Sequence, residues 1–397
     1  MEEQAKVLRR TWAEIHLDRL TENVCRIRCG LQGDCRIMGI VKADAYGHGA
    51  VPVAKALCRA GVEQLGVSNL EEAIQLRRAG VDVPILVISY TPPEEAARLA
   101  QYRVVQTVVS AEHARALSGA AVAAGVQLTV HIKLDTGMAR VGFLCHEETE
   151  VSAVAREIAD VCRLPALCAE GIFTHFAAAD EPDDAFTQRQ FALFMRVIDT
   201  LAQDGITFSL RHCCNSAATL RFPQMHLDMV RPGIILYGLQ PDGWMNDAYP
   251  GYLPALELKT TVSMVKDLQA SVPVSYNRTY YTPAPKRVAV VPVGYADGYV
   301  RALSNRGEML INGQRVPVAG RVCMDQTILD VTAVPSVGEG TVVTVFGRDG
   351  AAVLSADEIA AWIGTISYEV VCGINKRVPR LYFENGKPVE QLNYILP

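Results

Sequence analysis

The fold is decided by a stretch that reads CRIMGIVK (35–42), a helical segment at 50–60, QLGVS (64–68), NLEEAIQLRRAG (69–80) and VPILVIS (83–89). Short apolar runs rich in β-branched residues alternate here with segments of helical pattern. Such runs, bounded by short loops, are typical of parallel strands that are buried on both faces. The stretch therefore predicts strands and helices that alternate around a parallel sheet.

The same alternation continues toward residue 240. Further strand candidates are RVVQTVV (103–109), QLTVHIKLD (127–135), EGIFTHF (170–176), FSLRHC (208–213) and HLDMVRPG (226–233), with helical segments between them. About eight strand–helix units favour a closed barrel over an open sheet. We therefore predict an α/β fold with a (β/α)8 TIM-like barrel over residues 15–240.

The pattern changes after Leu239. A connector rich in Pro, Gly and aromatic residues (240–254) leads into alternating strand patterns such as RVAVVPVGY (287–295) and GTVVTVFG (340–347). The pair Asn312-Gly313 is a strong hairpin signal. Residues 1–14 and 241–397 are therefore predicted to form a mainly antiparallel β domain, interrupted by one helix near Ser355 to Ile363.

The amino-acid composition limits the classes of ligand that the protein could bind. The chain has 397 residues, 38 Lys+Arg against 43 Asp+Glu, and no run of basic residues, which argues against nucleic acid and anionic membranes and favours a small-molecule ligand. No apolar stretch is long enough to span a membrane, and the polar N-terminus does not resemble a signal peptide, so a cytoplasmic location is expected. Eleven cysteines, an odd number, predict reduced and mostly buried thiols. Their spacing does not predict a metal site.

The first chemical candidate is Lys42, in VKADAYGHG (41–49). A lysine taken at random is usually a solvated surface charge. This one follows an apolar strand, and reactive groups of such barrels lie at the carboxyl ends of strands. A desolvated amine there could bind a carbonyl cofactor covalently.

Several motifs resemble the alanine racemase family, whose members use pyridoxal 5'-phosphate (PLP). The resemblance spans nearly the whole chain and is carried by TWAEIHLDRLTENV (11–24), VKADAYGHG (41–49), KLDTGMARVGF (133–143), EGIFTHFAAAD (170–180), HCCNSAA (212–218), MVRPGIILYG (229–238), VSYNRTY (274–280), VPVGYADGY (291–299), AGRVCMDQ (319–326) and ISYEVVCGINKRVPR (366–380). The chain departs from the family at His16, where Asp is usual, and at Asn277, where Gly is usual.

The resemblance implies a PLP site in the barrel. Lys42 would hold PLP and act as one catalytic base, and Arg231 would face the pyridine nitrogen, which a permanently charged guanidinium leaves unprotonated. Residues implied to contact the cofactor are Tyr46, Ser216, Gly233, Ile234 and Tyr368 around the phosphate, and His175 and Asn215 near the ring. Taken singly, a residue such as Ser216 is more often a helix N-cap and one such as Gly233 more often a turn residue, while His175 could equally be a core histidine.

The resemblance also implies a second base, Tyr276, which reaches the active site of a partner subunit and so requires a homodimer. Arg140 and the Met324 amide would bind the substrate carboxylate, with Tyr295 at the entrance. Lys133 matches a lysine that is often N-carbamylated, a change that turns a cation into an anion beside Arg140.

The function implied is interconversion of L-alanine and D-alanine, supplying D-alanine for peptidoglycan. Racemisation of serine or of several amino acids is the main alternative, because one hydroxyl separates the substrates and Asn277 could bind it. A PLP-dependent decarboxylase has a similar layout but lacks the TGMAR and VRPG motifs. A non-catalytic PLP-binding protein would resemble the barrel alone.

Overall fold

The computed structural model describes residues 10–396, which divide into two compact units. The barrel unit contains Leu20–Ala45 and Ala50–Leu253. The β unit contains the described residues up to Arg19, Tyr46–Gly49, and the described residues from Pro254 onward. The domain boundaries predicted near residues 14 and 240 stay predictions.

Eight parallel strands form a nearly closed barrel, which confirms the predicted fold class. They are β2 (Arg36–Ile40), β3 (Gln64–Val67), β4 (Ile85–Val87), β5 (Val104–Val108), β6 (Leu128–Asp135), β8 (Leu167–Phe173), β9 (Leu210–His212) and β10 (Met229–Val230), with the short β7 (Phe143–Leu144) beside β6. The circle runs from β10 through β2 to β9. Its ends meet where the Arg231 amide donates to the Cys214 carbonyl at 2.9 Å.

Helices follow most of these strands. Before residue 254 they are α1 (Leu17–Cys29), α2 (Lys42–Tyr46), α3 (Ala50–Arg59), α4 (Leu70–Arg78), α5 (Ala96–Gln101), α6 (Ala111–Ala124), α7 (Val151–Cys162), α8 (Ala185–Gln203), α9 (Ser216–Arg221) and α10 (Met245–Ala248), with 3-10 turns at Pro93–Glu95, Glu148–Glu150, Pro223–Met225 and Ile234–Tyr237. Local chemistry sets their ends: the Ser110 side chain accepts from the His113 amide at the start of α6, and Gly125 ends that helix with φ 65°.

The β unit is mainly antiparallel, as predicted. Its strands are β1 (Thr11–His16), β11 (Leu256–Thr261), β12 (Met264–Leu268), β13 (Pro273–Val274), β14 (Tyr280–Tyr281), β15 (Lys286–Val291), β16 (Glu308–Ile311), β17 (Gln314–Pro317), β18 (Thr327–Asp330), β19 (Val342–Asp349), β20 (Ala352–Leu354), β21 (Arg380–Glu384) and β22 (Lys387–Leu392). Its largest sheet has the order β17-β16-β19-β11-β1-β21-β22, in which only the β1–β21 pair is parallel among the described strands.

The hairpin turn of the β unit agrees with the sequence prediction, whereas the number of helices does not. The Asn312-Gly313 turn joins β16 to β17 with positive φ at both residues (52° and 75°), as its sequence indicates. The expectation of one helix is wrong, because α12 (Ser367–Cys372) follows α11 (Ala356–Ile363). α11 carries a capping box at Ser355, whereas α12 is short and has no side-chain cap, so the sequence gives little sign of it. The same unit contains 3-10 turns at Tyr276–Arg278 and Arg301–Leu303.

Within the described residues, none of the eleven cysteines is in a disulfide, but they are not mostly buried, which corrects that part of the expectation. The buried ones are Cys35, Cys145, Cys213 and Cys214, and four others are exposed. No helix within residues 10–396 has both the length and the apolar character needed to cross a membrane.

Candidate active site

Lys42 lies just beyond the carboxyl end of β2 and begins a left-handed turn. Ala43–Ala45 have φ between 52° and 56°, a region that costs a residue with a side chain roughly 1–2 kcal/mol. Such a turn persists only where its surroundings hold it. Glu72 does so, because its carboxylate accepts from the amides of Ala43 and Ser68, each at 2.7 Å. Lys42 is thus presented on a fixed backbone at the rim of the barrel.

Four basic side chains act on the imidazole of His175. Burial is the main cause that lowers the pKa of His175 well below its ordinary value, and the charge of Arg231 adds to it, followed by those of Lys133, Arg140 and Lys42. This rim of the barrel therefore carries concentrated positive charge. An anionic ligand would relieve the repulsion, so these residues fit a ligand that bears phosphate or carboxylate groups.

Arg231 is buried and bonded almost entirely to neutral acceptors. Its Nη2 donates to the carbonyls of Thr174 (2.8 Å) and Cys213 (3.1 Å) and lies 3.2 Å from Nδ1 of His175, while Nη1 lies 3.0 Å from Nδ1 of His212. Burial lowers the pKa of Arg231 to about 10, which leaves the guanidinium charged at neutral pH. Both imidazole nitrogens that face it must therefore accept.

Lys133 is buried near the end of β6, and none of the carboxylates in residues 10–396 makes a hydrogen bond to it. Its Nζ donates to the Leu134 carbonyl at 3.0 Å and lies 5.3 Å from the centre of the Phe173 ring. Burial, and after it the charge of Arg231, lowers the pKa of Lys133 to about 7. A large fraction of this amine is therefore neutral, and so nucleophilic, at neutral pH.

Asp135 organises the loop that carries Arg140. Its Oδ1 accepts from the amides of Gly137, Met138 and Ala139 at 2.9–3.1 Å, and its Oδ2 accepts from the Arg140 amide at 2.8 Å. Burial would raise the pKa of Asp135, but these amide bonds, with that of Arg140 foremost, lower it well below its usual value. One carboxylate thus fixes four consecutive residues.

The start of α9 contacts the turn that begins at Ile234, and three predicted residues lie there: Asn215, Ser216 and Gly233. Asn215 is the N-cap of α9, because its side chain accepts from the Ala218 amide at 3.0 Å. Ser216 is the first helical residue and not the cap, which corrects the alternative interpretation of the sequence. Its Oγ accepts from the Gly233 amide at 2.8 Å, so it joins α9 to the turn that begins at Ile234.

The remaining predicted residues belong to the β unit. The rings of Tyr46 and Tyr368 lie 6.0 Å apart, and burial raises the pKa of Tyr46. Tyr276, Tyr295 and Met324 are 67%, 41% and 52% exposed.

Hydrogen bonds join the three loops that carry these exposed side chains. The Tyr295 amide donates to the Cys323 carbonyl at 3.0 Å, and Ser275 Oγ donates to the Arg321 carbonyl at 2.6 Å. The segments before Tyr276 and Met324 are therefore tied together, with the loop of Tyr295 beside them.

Sequence reasoning missed several residues that shape this site. His212, His131 and Glu170 lie behind Arg231, and Asp135 holds the loop of Arg140. A partial signal was present, because a histidine within the apolar run QLTVHIKLD is unusual for a buried strand. Nothing in the spacing shows that His131 meets a residue 81 positions later.

Comparison with known proteins agrees with the motifs. The sequence profile described as "Alanine racemase, N-terminal domain" matches residues 15–241, and the profile of the C-terminal domain matches residues 255–382. The chain belongs to the alanine racemase family. The alanine racemase of Desulforamulus reducens is 46% identical over 371 residues, which cover 94% of this chain and 98% of that protein. That of Methanococcus maripaludis is 42% identical over the same shares of both chains.

Solved structures of the family have the same fold. An alanine racemase from Clostridium difficile 630 superposes with a TM-score of 0.93 at 39% identity, covering 98% of this chain and all of that one. The enzyme from Bacillus anthracis with bound L-Ala-P gives a TM-score of 0.91 at 38% identity, covering 98% and 99%. The predicted family and fold class are therefore confirmed.

Proposed function

We propose that this chain is a PLP-dependent alanine racemase that interconverts L-alanine and D-alanine. The observation that carries the proposal is that four basic side chains, Arg231, Lys133, Arg140 and Lys42, act on the buried His175 at the carboxyl rim of a barrel that belongs to this family. Such a rim suits a phosphate-bearing cofactor and a substrate with a carboxylate. As the resemblance implies, we further propose that the chain works in the cytoplasm and supplies D-alanine for peptidoglycan.

In this proposal, the barrel holds PLP through residues at its rim. Lys42 would hold the cofactor through its amine, and Arg231 would face the ring nitrogen. PLP, when bound, makes the α-hydrogen of an amino acid acidic enough for a side chain to remove. The other proposed contacts are Tyr46, Ser216, Tyr368 and the amides of Gly233 and Ile234 to the phosphate, with His175 and Asn215 near the ring.

Racemisation needs a proton acceptor and a proton donor on opposite faces of the α-carbon. We assign these roles to the Lys42 amine and the Tyr276 hydroxyl, each acting as base toward one enantiomer and as acid toward the other. Tyr276 is exposed and follows Ser275 and precedes Asn277, both with positive φ (63° and 60°). A projecting side chain on such a constrained loop supports delivery into the site of a partner subunit, and hence a homodimer.

The substrate carboxylate is assigned to Arg140 and the Met324 amide, and the entrance to Tyr295. We propose that Lys133 is carbamylated: its neutral amine adds to CO2, forming an N–C bond and releasing one proton. The product is an anion, which would offset the positive charge of Arg140 and Arg231. The lowered pKa of Lys133 supports this assignment, because the neutral amine is the form that reacts.

Two alternatives differ at specific residues. A decarboxylase would be expected to pair the ring nitrogen with a carboxylate, whereas this proposal assigns that position to Arg231, which bonds to carbonyls and imidazoles. Serine racemisation would be favoured if the side chain of Asn277 binds the substrate hydroxyl. The rates with alanine and serine distinguish this alternative from the proposal.

The test is isotope exchange in D2O. Purified protein with PLP receives L-alanine or L-serine, and deuterium at the α-carbon is read together with the enantiomer ratio. We expect both signals, faster with alanine, and expect Tyr276→Phe to keep the absorbance of bound PLP while losing at least about 100-fold in turnover. Tyr281→Phe, at another exposed tyrosine, is the control. Absence of exchange with bound PLP would refute the function, and faster serine exchange would favour the alternative.

A further inference from the structure

A line of polar side chains crosses the barrel interior behind Arg231. His212 Nδ1 lies 3.0 Å from Arg231 Nη1, His212 Nε2 lies 2.9 Å from His131 Nδ1, and His131 Nε2 lies 3.4 Å from Glu170 Oε2. Both imidazoles are fully buried, while the Glu170 side chain is 38% exposed. Arg231, His212, His131 and Glu170 are called the relay below.

The chemistry of the two ends fixes the direction of every bond. A guanidinium only donates, so His212 Nδ1 must accept and the proton of this neutral ring sits on Nε2. That proton is donated to His131 Nδ1, which places the proton of His131 on Nε2. Glu170 accepts it, because a carboxylate has no proton to give. The relay therefore has one consistent arrangement, with donation running from Arg231 to Glu170.

The surrounding charges agree with neutral rings. Burial lowers the pKa of His212, and the charge of Arg231 adds to that effect. Burial also lowers the pKa of His131, and the Arg231 charge adds to that, although Glu170 opposes it. The bond from His131 is the main cause that lowers the pKa of Glu170. A proton added to either ring would convert its acceptor nitrogen into a donor, which would then face another donor.

The fold builds the relay through a β-bulge. Between β6 and β8 the register passes from Val130–Ala169 to His131–Gly171, so Glu170 is an extra residue without a partner. Bulges of this kind redirect a side chain and occur beside active sites. The next residue must be small, because a Cβ on Gly171 would lie 2.7–2.8 Å from three atoms of the His131 ring. Bulge and glycine together place the imidazole against the carboxylate.

We propose that Glu170, acting through His131 and His212, is a positioning residue for Arg231. The relay keeps a lone pair of His212 directed at the guanidinium, which holds Arg231 in one orientation as a donor. The inference deepens the proposed function and depends on it for the kinetic consequence alone. Neither Glu170 nor His131 needs to contact substrate or cofactor.

The first test reads the tautomers directly. Long-range proton–nitrogen NMR spectra of protein labelled with 15N-histidine and loaded with PLP, without substrate, report which ring nitrogen carries the proton. We expect His131 and His212 to be neutral with the proton on Nε2 from about pH 6 to about pH 9, a range that spans the ordinary titration of histidine. A proton on Nδ1 of either ring would overturn the relay. This result does not depend on racemase activity.

The second test uses variants at the two ends of the bulge. Glu170→Lys replaces the acceptor by a donor, and Gly171→Ala displaces the His131 ring. We expect both to change the His212 tautomer signals and to lower kcat by about 10-fold or more, with a smaller effect on KM. Glu170→Gln retains an acceptor oxygen and should keep the tautomers of both histidines. Its loss of kcat should be several-fold smaller than that of Glu170→Lys. The control Glu157→Lys makes the same charge change on the exposed face of α7.

The outcomes separate the two proposals. If Glu170→Lys leaves the tautomers and kcat as Glu157→Lys does, the positioning role is wrong, whether or not Gly171→Ala folds. If the tautomers respond as expected but the wild-type protein racemises nothing, the proposed function fails while the relay stands.

Discussion

Replacing Asp135 by Asn should loosen the loop that presents Arg140. The substituted side chain keeps one acceptor oxygen for the amides of Gly137, Met138 and Ala139, but its NH2 group would face the Arg140 amide, and two donors cannot bond. Each bond to a charged group contributes about 1.5–3 kcal/mol, and each neutral one about 1 kcal/mol. Since bonds that share one oxygen are not additive, we expect a loss of about 3–5 kcal/mol in the free energy of unfolding.

Urea unfolding of Asp135→Asn against wild type measures this loss as a shift of the midpoint. The matched control is Asp160→Asn, whose carboxylate is 79% exposed and pairs with Arg163 at 3.3 Å; surface pairs of this kind contribute about 0–1 kcal/mol. Because Arg140 is assigned to the substrate carboxylate, KM for alanine should rise more than kcat falls. A midpoint equal to that of Asp160→Asn would refute the claim that this carboxylate organises the loop.

Acid supplies an independent check on Asp135. Its pKa in the folded protein is lowered, whereas in the unfolded chain it is about 3.9. The stability it contributes is therefore present above about pH 4 and is lost as the pH falls toward the folded pKa. The difference in stability between wild type and Asp135→Asn should shrink as the pH falls from about 5 to about 2. A difference that is constant over this range would show that charge plays no part.

Three further predictions follow from single residues. Lys133 should give a carbamate signal in 13C NMR with 13CO2, stronger as the pH rises through about 7 because the neutral amine reacts, and Lys133→Arg should lack it. Gly47→Ala should destabilise the β unit by at least about 1–3 kcal/mol, because φ is +80° and the added Cβ would overlap with the Val371 carbonyl oxygen; Gly80→Ala, also at positive φ but with open space, is the control for thermal unfolding. Asn277→Gly should lower serine turnover relative to alanine if the amide binds a hydroxyl, and an unchanged ratio would exclude that role.

The fold could be predicted where one local pattern decides the structure. Apolar runs such as CRIMGIVK predicted the barrel strands, and Asn312-Gly313 predicted its hairpin. The left-handed turn after Lys42 could not be predicted, because alanine has no preference for positive φ and the turn depends on Glu72. The exposure of four cysteines likewise depends on which face of a helix or strand meets the core.

Site residues could be predicted only where a motif carried them. The motifs contain Lys42 and Arg231, but they do not show that four basic side chains act on His175. Glu170 lies inside EGIFTHF and still gave no signal, because its position depends on a register shift between two strands. A bulge is a relation between strands, and one sequence read alone does not contain it.

The relay also bears on the electrostatics of the rim. A carboxylate bonded directly to Arg231 would cancel much of its charge at the place where the proposed ligand needs it, since Coulomb energy falls with distance. Two neutral imidazoles instead satisfy the guanidinium and pass the last proton to Glu170, which is partly exposed to water. The negative charge is therefore kept away from the rim, while the N–H group of each imidazole has an acceptor. This separation explains why a barrel that must keep Arg231 positive would place its carboxylate at the far end of two histidines.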